Sequence, residues 1–161
     1  MEATQLALRG RQLRLERELG SGATSTVWLA REGERVFALK LGRGRAQRPR
    51  FAEECERLSW VDSPALAAAV DAGLLREGLR LPNGMQLEPG SPFLLLDYVE
   101  GAHLDPASAD SAERALALAL VVARDIGRAL ADLHAAGLAH GDVKPANVVV
   151  TADAAGAPGV A

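Results

Sequence analysis

The chain has 161 residues, 48% hydrophobic and 24% charged, with a net charge of −3. That length suffices for one domain with a core, and the charge carries no basic footprint for nucleic acid. A single cysteine, Cys55, excludes an internal disulfide and suits a reducing, cytoplasmic setting.

The first residues lack the basic-then-apolar order of a signal peptide. The longest apolar run, Ala115 to Ala123, is too short to cross a bilayer, so no membrane segment is expected. Residues 1–12 read as an N-terminal extension. From Leu13 to Leu41 the pattern predicts a three-strand antiparallel meander: LRLEREL, the turn GSGATS, TVWLARE, a turn at Gly33, then RVFALKL. The basic stretch GRGRAQRPR (43–50) reads as a solvated loop. Phe51, Cys55 and Leu58 share one face of a helix over 50–61, stopped by Asp62, Ser63 and Pro64. LAAAVDAGLL and SPFLLLDYV predict two further strands. REGLRLPNGMQLEPG, between them, reads as an extended hairpin insertion. A long helix is predicted over 111–136, with Asp110 or Ser111 as N-cap and Gly137 at the C′ position. On it Arg124, Asp125, Arg128 and Asp132 fall in one narrow arc, which predicts a wet stripe on an otherwise buried helix.

Four stretches carry candidate chemistry. In LGSGATSTVWLA, Gly20 and Gly22 sit between strands, where backbone amides can approach an anion unobstructed. No Gly-Lys-Ser/Thr follows and no helix opens there, which excludes a Walker A loop and a dinucleotide fingerprint. In VFALK, alternation puts Val36, Ala38 and Lys40 on one face and Phe37, Leu39 and Leu41 on the other. Lys40 could hold a phosphate beneath the glycine turn, or be a strand-end lysine with a solvated tip.

The helix decides between these. With Phe51 at the centre of its buried face, Glu54 lies about 60° away, while Glu53 and Glu56 point to the opposite side. A carboxylate bordering buried surface needs a partner, and Lys40 is the natural one. The fourth stretch is HGDVKPAN. Asp142 can orient a hydroxyl and accept its proton, and Lys144 can neutralise charge on a transferring phosphoryl group. Asn147 offers an oxygen to a divalent cation, and Pro145 stiffens the turn.

With these motifs in order from about Leu13 onward, the chain resembles the N-terminal portion of a eukaryotic-type Ser/Thr protein kinase domain. The resemblance implies an α+β, two-lobe kinase-like fold. An antiparallel five-stranded N-lobe with one helix and a hinge would occupy 13–99, and 100–161 would begin a mainly helical C-lobe. It implies ATP and Mg²⁺ as cofactors and a protein with a Ser or Thr hydroxyl as substrate. By resemblance Gly20, Ser21 and Gly22 cover the phosphates, Lys40 contacts the α- and β-phosphates, and Glu54 is its partner. Asp142 is the catalytic base, Lys144 touches the γ-phosphate, and Asn147 is a Mg²⁺ ligand. FLLLDYVEG resembles the interlobe hinge. Leu96 would be the gatekeeper, the Asp97 carbonyl and Val99 amide would pair with adenine, and Val27, Ala38 and Val149 would enclose the ring.

The match departs from the family at three points. Ser25 replaces the third glycine, which should stiffen the turn slightly. Gly141 stands where the family has the Arg of HRD, so switching through that Arg is not expected. No DFG motif follows VVVT, and the chain alone is expected to be inactive or nearly so. Two alternatives share the fold: a small-molecule kinase of the aminoglycoside-phosphotransferase-like group, and a non-catalytic pseudokinase-like module that binds a nucleotide or a partner.

Overall fold

Period-two alternation of apolar side chains runs through most of the first hundred residues, and the strands follow it. The computed structural model describes residues 4–59, 61, 63–105, 107, 111–152 and 158–160. The strands are β1 (Thr4–Leu8), β2 (Arg11–Ser21), β3 (Ser25–Glu32), β4 (Arg35–Gly42), β5 (Ala69–Leu74), β6 (Leu79–Arg80), β7 (Gln86–Leu87) and β8 (Pro92–Asp97). Six of them form an antiparallel sheet in the order β1-β2-β3-β4-β8-β5. The five-strand expectation is therefore corrected to six. Residues 4–8, read as extension, are an edge strand whose Leu6 and Leu8 reach the core. Its hairpin turns at Arg9 and Gly10, both with positive φ. From that turn the Arg9 guanidinium reaches β5, 3.1 Å from Asp71 Oδ1 and 2.8 Å from the Ala72 carbonyl. The sheet thus curls until its two edges are bridged by one side chain.

One face of this sheet carries the core. Leu13, Leu15, Trp28, Ala30, Phe37, Leu39, Leu41, Phe93 and Leu95 are buried there together with Leu75, which follows β5, and Leu81 and Leu87 of the insertion. The segment 76–90 does form the expected hairpin, with β6 paired to β7, but it is more than a surface excursion. Its leucines close the sheet's apolar face.

Helix α1 (Arg48–Ser59) begins two residues before the predicted position, with Pro49 in its first turn, where a missing N–H costs nothing. Asp62, one of the expected stop residues, lies outside the described residues. Phe51 is buried, Glu54, Cys55 and Leu58 are half-buried, and Glu53 and Glu56 are exposed, as the helical arc predicts. Two arginines at the entry to α1, Arg45 before it and Arg48 at its first position, correct a second expectation. Arg45 and Arg48 donate to the carbonyls of Pro89 and Gly90 at 2.9 and 2.8 Å. They tie the base of the hairpin to the start of α1 rather than trailing in solvent.

The chain divides into two units, Met1–Ser59 with Ala68–Tyr98, and Trp60–Ala67 with Val99–Ala161. The segment after α1, assigned by sequence to the first lobe, falls with the second unit. In that unit β9 (Ala102–His103), β10 (Val149–Ala152) and β11 (Pro158–Val160) form a small sheet in the order β11-β10-β9. Gly101 lies so close to β10 that a Cβ would overlap the Val150 carbonyl.

Helix α2 (Ala112–Ala135) is capped by Ser111, whose hydroxyl accepts from the Arg114 amide at 3.2 Å. Asp110, the other candidate, lies outside the described residues. At the far end Gly137 N–H donates to His134 O and Leu138 N–H to Leu133 O, both at 2.9 Å, the paired bonds of a Schellman stop. Burial on α2 differs from the sequence expectation. The buried seam is Asp125, Ala129 and Leu133, while Leu116 and Leu120 are 61% and 63% exposed. Asp125 belongs to the packed seam, not to a wet stripe. Its charge is met by Arg124, with Nε 2.5 Å and a second nitrogen 2.8 Å from the carboxylate. That contact raises the Arg124 pKa. Among the described residues no helix is long and apolar enough to cross a membrane.

Because Leu81 is 2% exposed within the core, Leu81→Ala is expected to cost about 2–4 kcal/mol in chemical denaturation. A loss within error of zero would show the hairpin to be dispensable to the core.

Candidate active site

Strand β4 lies between β3 and β8, with Lys40 opposite Val27 on one side and Leu94 on the other. Phe37, Leu39 and Leu41 are fully buried in the core, so alternation sends Ala38 and Lys40 to the other face. There the Lys40 ammonium meets Glu54 of α1, 2.6 Å from Oε1 and 2.7 Å from Oε2. It also stands 5.4 Å from the centre of the Phe51 ring, a further favourable contact for a cation. With 22% and 31% of their side chains exposed, the two charges keep enough water that the desolvation cost of a buried pair is not incurred in full. Leu96 pairs with Ala38 on the same face. The Asp97 and Tyr98 amides donate to the carbonyls of Ala68 and Val36, fixing the chain as it leaves β8.

The glycine turn joins β2 to β3. The Gly22 amide donates to the Ser25 carbonyl at 2.8 Å, and the Thr24 carbonyl accepts from the Arg43 amide at 2.9 Å. A Cβ on Gly20 would meet nothing within 4 Å, so the space over the turn is open. Ser25, at the third glycine position, opens β3 opposite Gly42. Below the turn β2 bulges between Glu18 and Gly20. Glu18 there accepts from Thr26 Oγ1 at 3.0 Å and from Asn83 Nδ2 at 2.9 Å. Ser21 Oγ accepts from Arg43 at 2.7 Å. These contacts are not legible in the sequence, where the only signals are a carboxylate two residues before Gly20 and an arginine three residues after Lys40.

In the second unit HGDVKPAN forms a short loop ending in a 3-10 turn, Pro145–Asn147. Lys144 Nζ lies 2.8 Å from Asp142 Oδ2. Asn147 Nδ2 donates to the Asp142 carbonyl at 2.8 Å and to its Oδ2 at 3.0 Å. Asn147 Oδ1 is then the atom of that side chain suited to a hard cation. Gly141 has φ 78°, a left-handed backbone that a side chain adopts only at a cost. A cleft beside the loop is lined by Asp125, Ile126, Ala129, His140, Val143 and Lys144. Val148 is buried where the loop enters β10, and Val149 and Val99 are half-buried.

Residues 13–156 match the protein kinase domain family. The chain belongs to that family. It is 31% identical over 150 residues to the serine/threonine-protein kinase PknJ of Mycobacterium tuberculosis, an overlap of 89% of this chain and 23% of PknJ. It therefore spans less than a quarter of that relative. The Mycobacterium tuberculosis PknI kinase domain shares the fold at a TM-score of 0.65 and 26% identity, over 99% of this chain and 61% of that one. Rad53 1-466, solved in complex with AMP-PNP, shares it at a TM-score of 0.64 and 22% identity, over 91% of this chain and 36% of that one.

Within this protein kinase domain the sequence-predicted residues fall into two sets. Gly20, Ser21, Gly22, Val27, Ala38, Lys40, Glu54, Leu96 and Asp97 belong to the first unit; Val99, Asp142, Lys144, Asn147 and Val149 belong to the second. The Lys40–Glu54 pairing expected from the helical arc is formed. So is a cluster of Asp142, Lys144 and Asn147. Since a Cβ on Gly141 would meet nothing within 4 Å, Gly141→Ala should lose only the conformational cost, about 1–2 kcal/mol. An unchanged denaturation midpoint would show that the loop does not hold this backbone in solution.

Proposed function

We propose that this domain transfers the γ-phosphoryl group of ATP to Ser or Thr hydroxyls of proteins. The observation that carries the reading is the Asp142–Lys144 contact of 2.8 Å. One turn presents both a carboxylate that can take a proton and a cation that can offset phosphoryl charge. The names of PknJ, a serine/threonine-protein kinase, and of Rad53 with AMP-PNP are in keeping with it.

In the first unit the amides of the glycine turn at Gly20, Ser21 and Gly22 cover the phosphates. Lys40, held by both Glu54 oxygens, presents its ammonium to the α- and β-phosphates. Val27, Ala38 and Leu96, with the Asp97 carbonyl, receive the adenine side. In the second unit Asp142 orients the substrate hydroxyl and accepts its proton as the oxygen attacks the γ-phosphorus. The bond from the γ-phosphorus to the bridging oxygen breaks, and ADP leaves with that electron pair. Lys144 sits against Asp142 and neutralises charge on the transferring group. Mg²⁺ takes few protein oxygens and completes its shell with phosphates and water, so Asn147 Oδ1 fits it as a donor. When bound, the ion offsets triphosphate charge.

In the natural polypeptide that carries this domain, Asp142→Asn is expected to lower kcat for radiolabelled γ-phosphate transfer to Ser/Thr peptides about 10²–10⁴-fold. AMP-PNP binding should be retained. Undiminished transfer by Asp142→Asn would sink the assignment.

A further inference from the structure

The 76–90 hairpin closes the core with Leu81 and Leu87, and its tip reaches the β2 leg of the glycine turn. Its tip is Pro82-Asn83-Gly84. Gly84 N–H donates to the Leu81 carbonyl at 2.9 Å, and the Met85 amide donates to Asn83 Oδ1 at 3.1 Å. The turn therefore holds one end of the Asn83 amide, which aims Nδ2 outward at Glu18 Oε2, 2.9 Å away. The base of the hairpin is fixed as well, because Arg45 and Arg48 hold the Pro89 and Gly90 carbonyls. Asn83 is thus a donor on a support braced at both ends.

What it reaches is the leg of the glycine turn. Glu18 lies at the β2 bulge, two residues before Gly20. Thr26, fully buried on the opposite leg, donates to the other Glu18 oxygen at 3.0 Å. Arg43 donates to Ser21 Oγ at the apex side, and its own amide holds the Thr24 carbonyl. The Asn83 amide, then the Ser21 hydroxyl, hold the Glu18 carboxyl below its ordinary range, with smaller help from Thr26 and Arg43. It stays an anionic acceptor wherever ordinary carboxylates are ionised. Arg43 follows Lys40 by three residues, so the same contacts register the turn against the lysine.

We propose that Asn83, Glu18, Thr26, Ser21 and Arg43 form a latch that positions the glycine turn for a nucleoside triphosphate. This rests on the nucleotide-binding reading above. A glycine turn has many conformations, and binding must select the few that present its amides to phosphate. Tying both legs to braced groups raises the competent fraction, and apparent affinity follows that fraction. Asn83 acts through Glu18 and touches no ligand; it is a positioning residue.

The test is calorimetric titration of the chain with Mg²⁺ and AMP-PNP. Asn83→Ala and Arg43→Gln, which break the latch from opposite ends, are each expected to weaken binding about three- to tenfold. Asn83→Asp, which sets a second carboxylate against Glu18, is expected to weaken it further. Asn83→Ala and Glu18→Gln should be less than additive. Leu8→Ala, which destabilises the same core from edge strand β1 and leaves the hairpin intact, should bind as wild type does well below its melting temperature. Wild-type affinity in both Asn83→Ala and Arg43→Gln, or equal weakening in Leu8→Ala, would overturn the latch and leave the nucleotide reading standing. Absence of AMP-PNP binding by wild type would overturn both.

Discussion

Lys40 carries its charge on a strand whose other face is fully buried, and the arrangement of the first unit follows from that. Strand β4 is flanked by β3 and β8, so neither of its edges can slide. A shift of one residue would bring Lys40 into the core and expose Phe37, Leu39 and Leu41, all at 0% exposure. The register is therefore set by three large apolar side chains, and the position of the ammonium is a consequence. A cation at the border of buried surface in turn requires an anion within reach. Glu54 meets that need only if α1 presents one particular face to the sheet, and Phe51, the buried residue of that helix, presents the same face. Apolar packing and charge pairing thus select a single rotation of α1.

The opposite face of the same strand explains the hairpin. Six strands curled until Arg9 bridges β1 to β5 leave one apolar surface to be covered, and Leu75, Leu81 and Leu87 cover it. Once the hairpin lies there, its tip comes within hydrogen-bonding distance of Glu18 at the foot of the glycine turn. The cover of the core and the support of the turn are one element. A deletion that shortened the hairpin would act on both.

Much of this was legible in the sequence where the signal was local. The arc of α1 singled out Glu54 from three glutamates, and alternation separated Lys40 from the core residues of β4. The stop at Gly137 followed from its place after a periodic run. What local signals do not carry is tertiary. TQLAL is a five-residue alternation too short to outweigh a polar flank, yet its pairing with β2 makes it a strand. Arg43, Arg45 and Arg48 look like a solvated cluster because nothing in their neighbourhood names an acceptor. Their acceptors are a hydroxyl 22 residues back and carbonyls 44 and 42 residues ahead. Asp125 shares an arc with three other charged residues, and only the packing of α2 buries it while they stay exposed.

The two charged clusters are held in different ways. Asp142, Lys144 and Asn147 close on one another within six residues, through a 3-10 turn and a left-handed Gly141. Their geometry is written into the loop. Lys40 and Glu54 are 14 residues apart and meet only because α1 docks on the sheet. That docking has a thin apolar basis, since Phe51 is the one described α1 residue that is buried. The pair is then both the product of the docking and part of what maintains it, together with the contact of the Lys40 ammonium to the Phe51 ring. Removing Lys40 would free Glu54 to take up water and leave Phe51 and the Arg48–Gly90 contact to hold the helix. In this domain the lysine holds its helix as well as presenting a charge, and a loss of function on its substitution has to be separated from a loosening of α1.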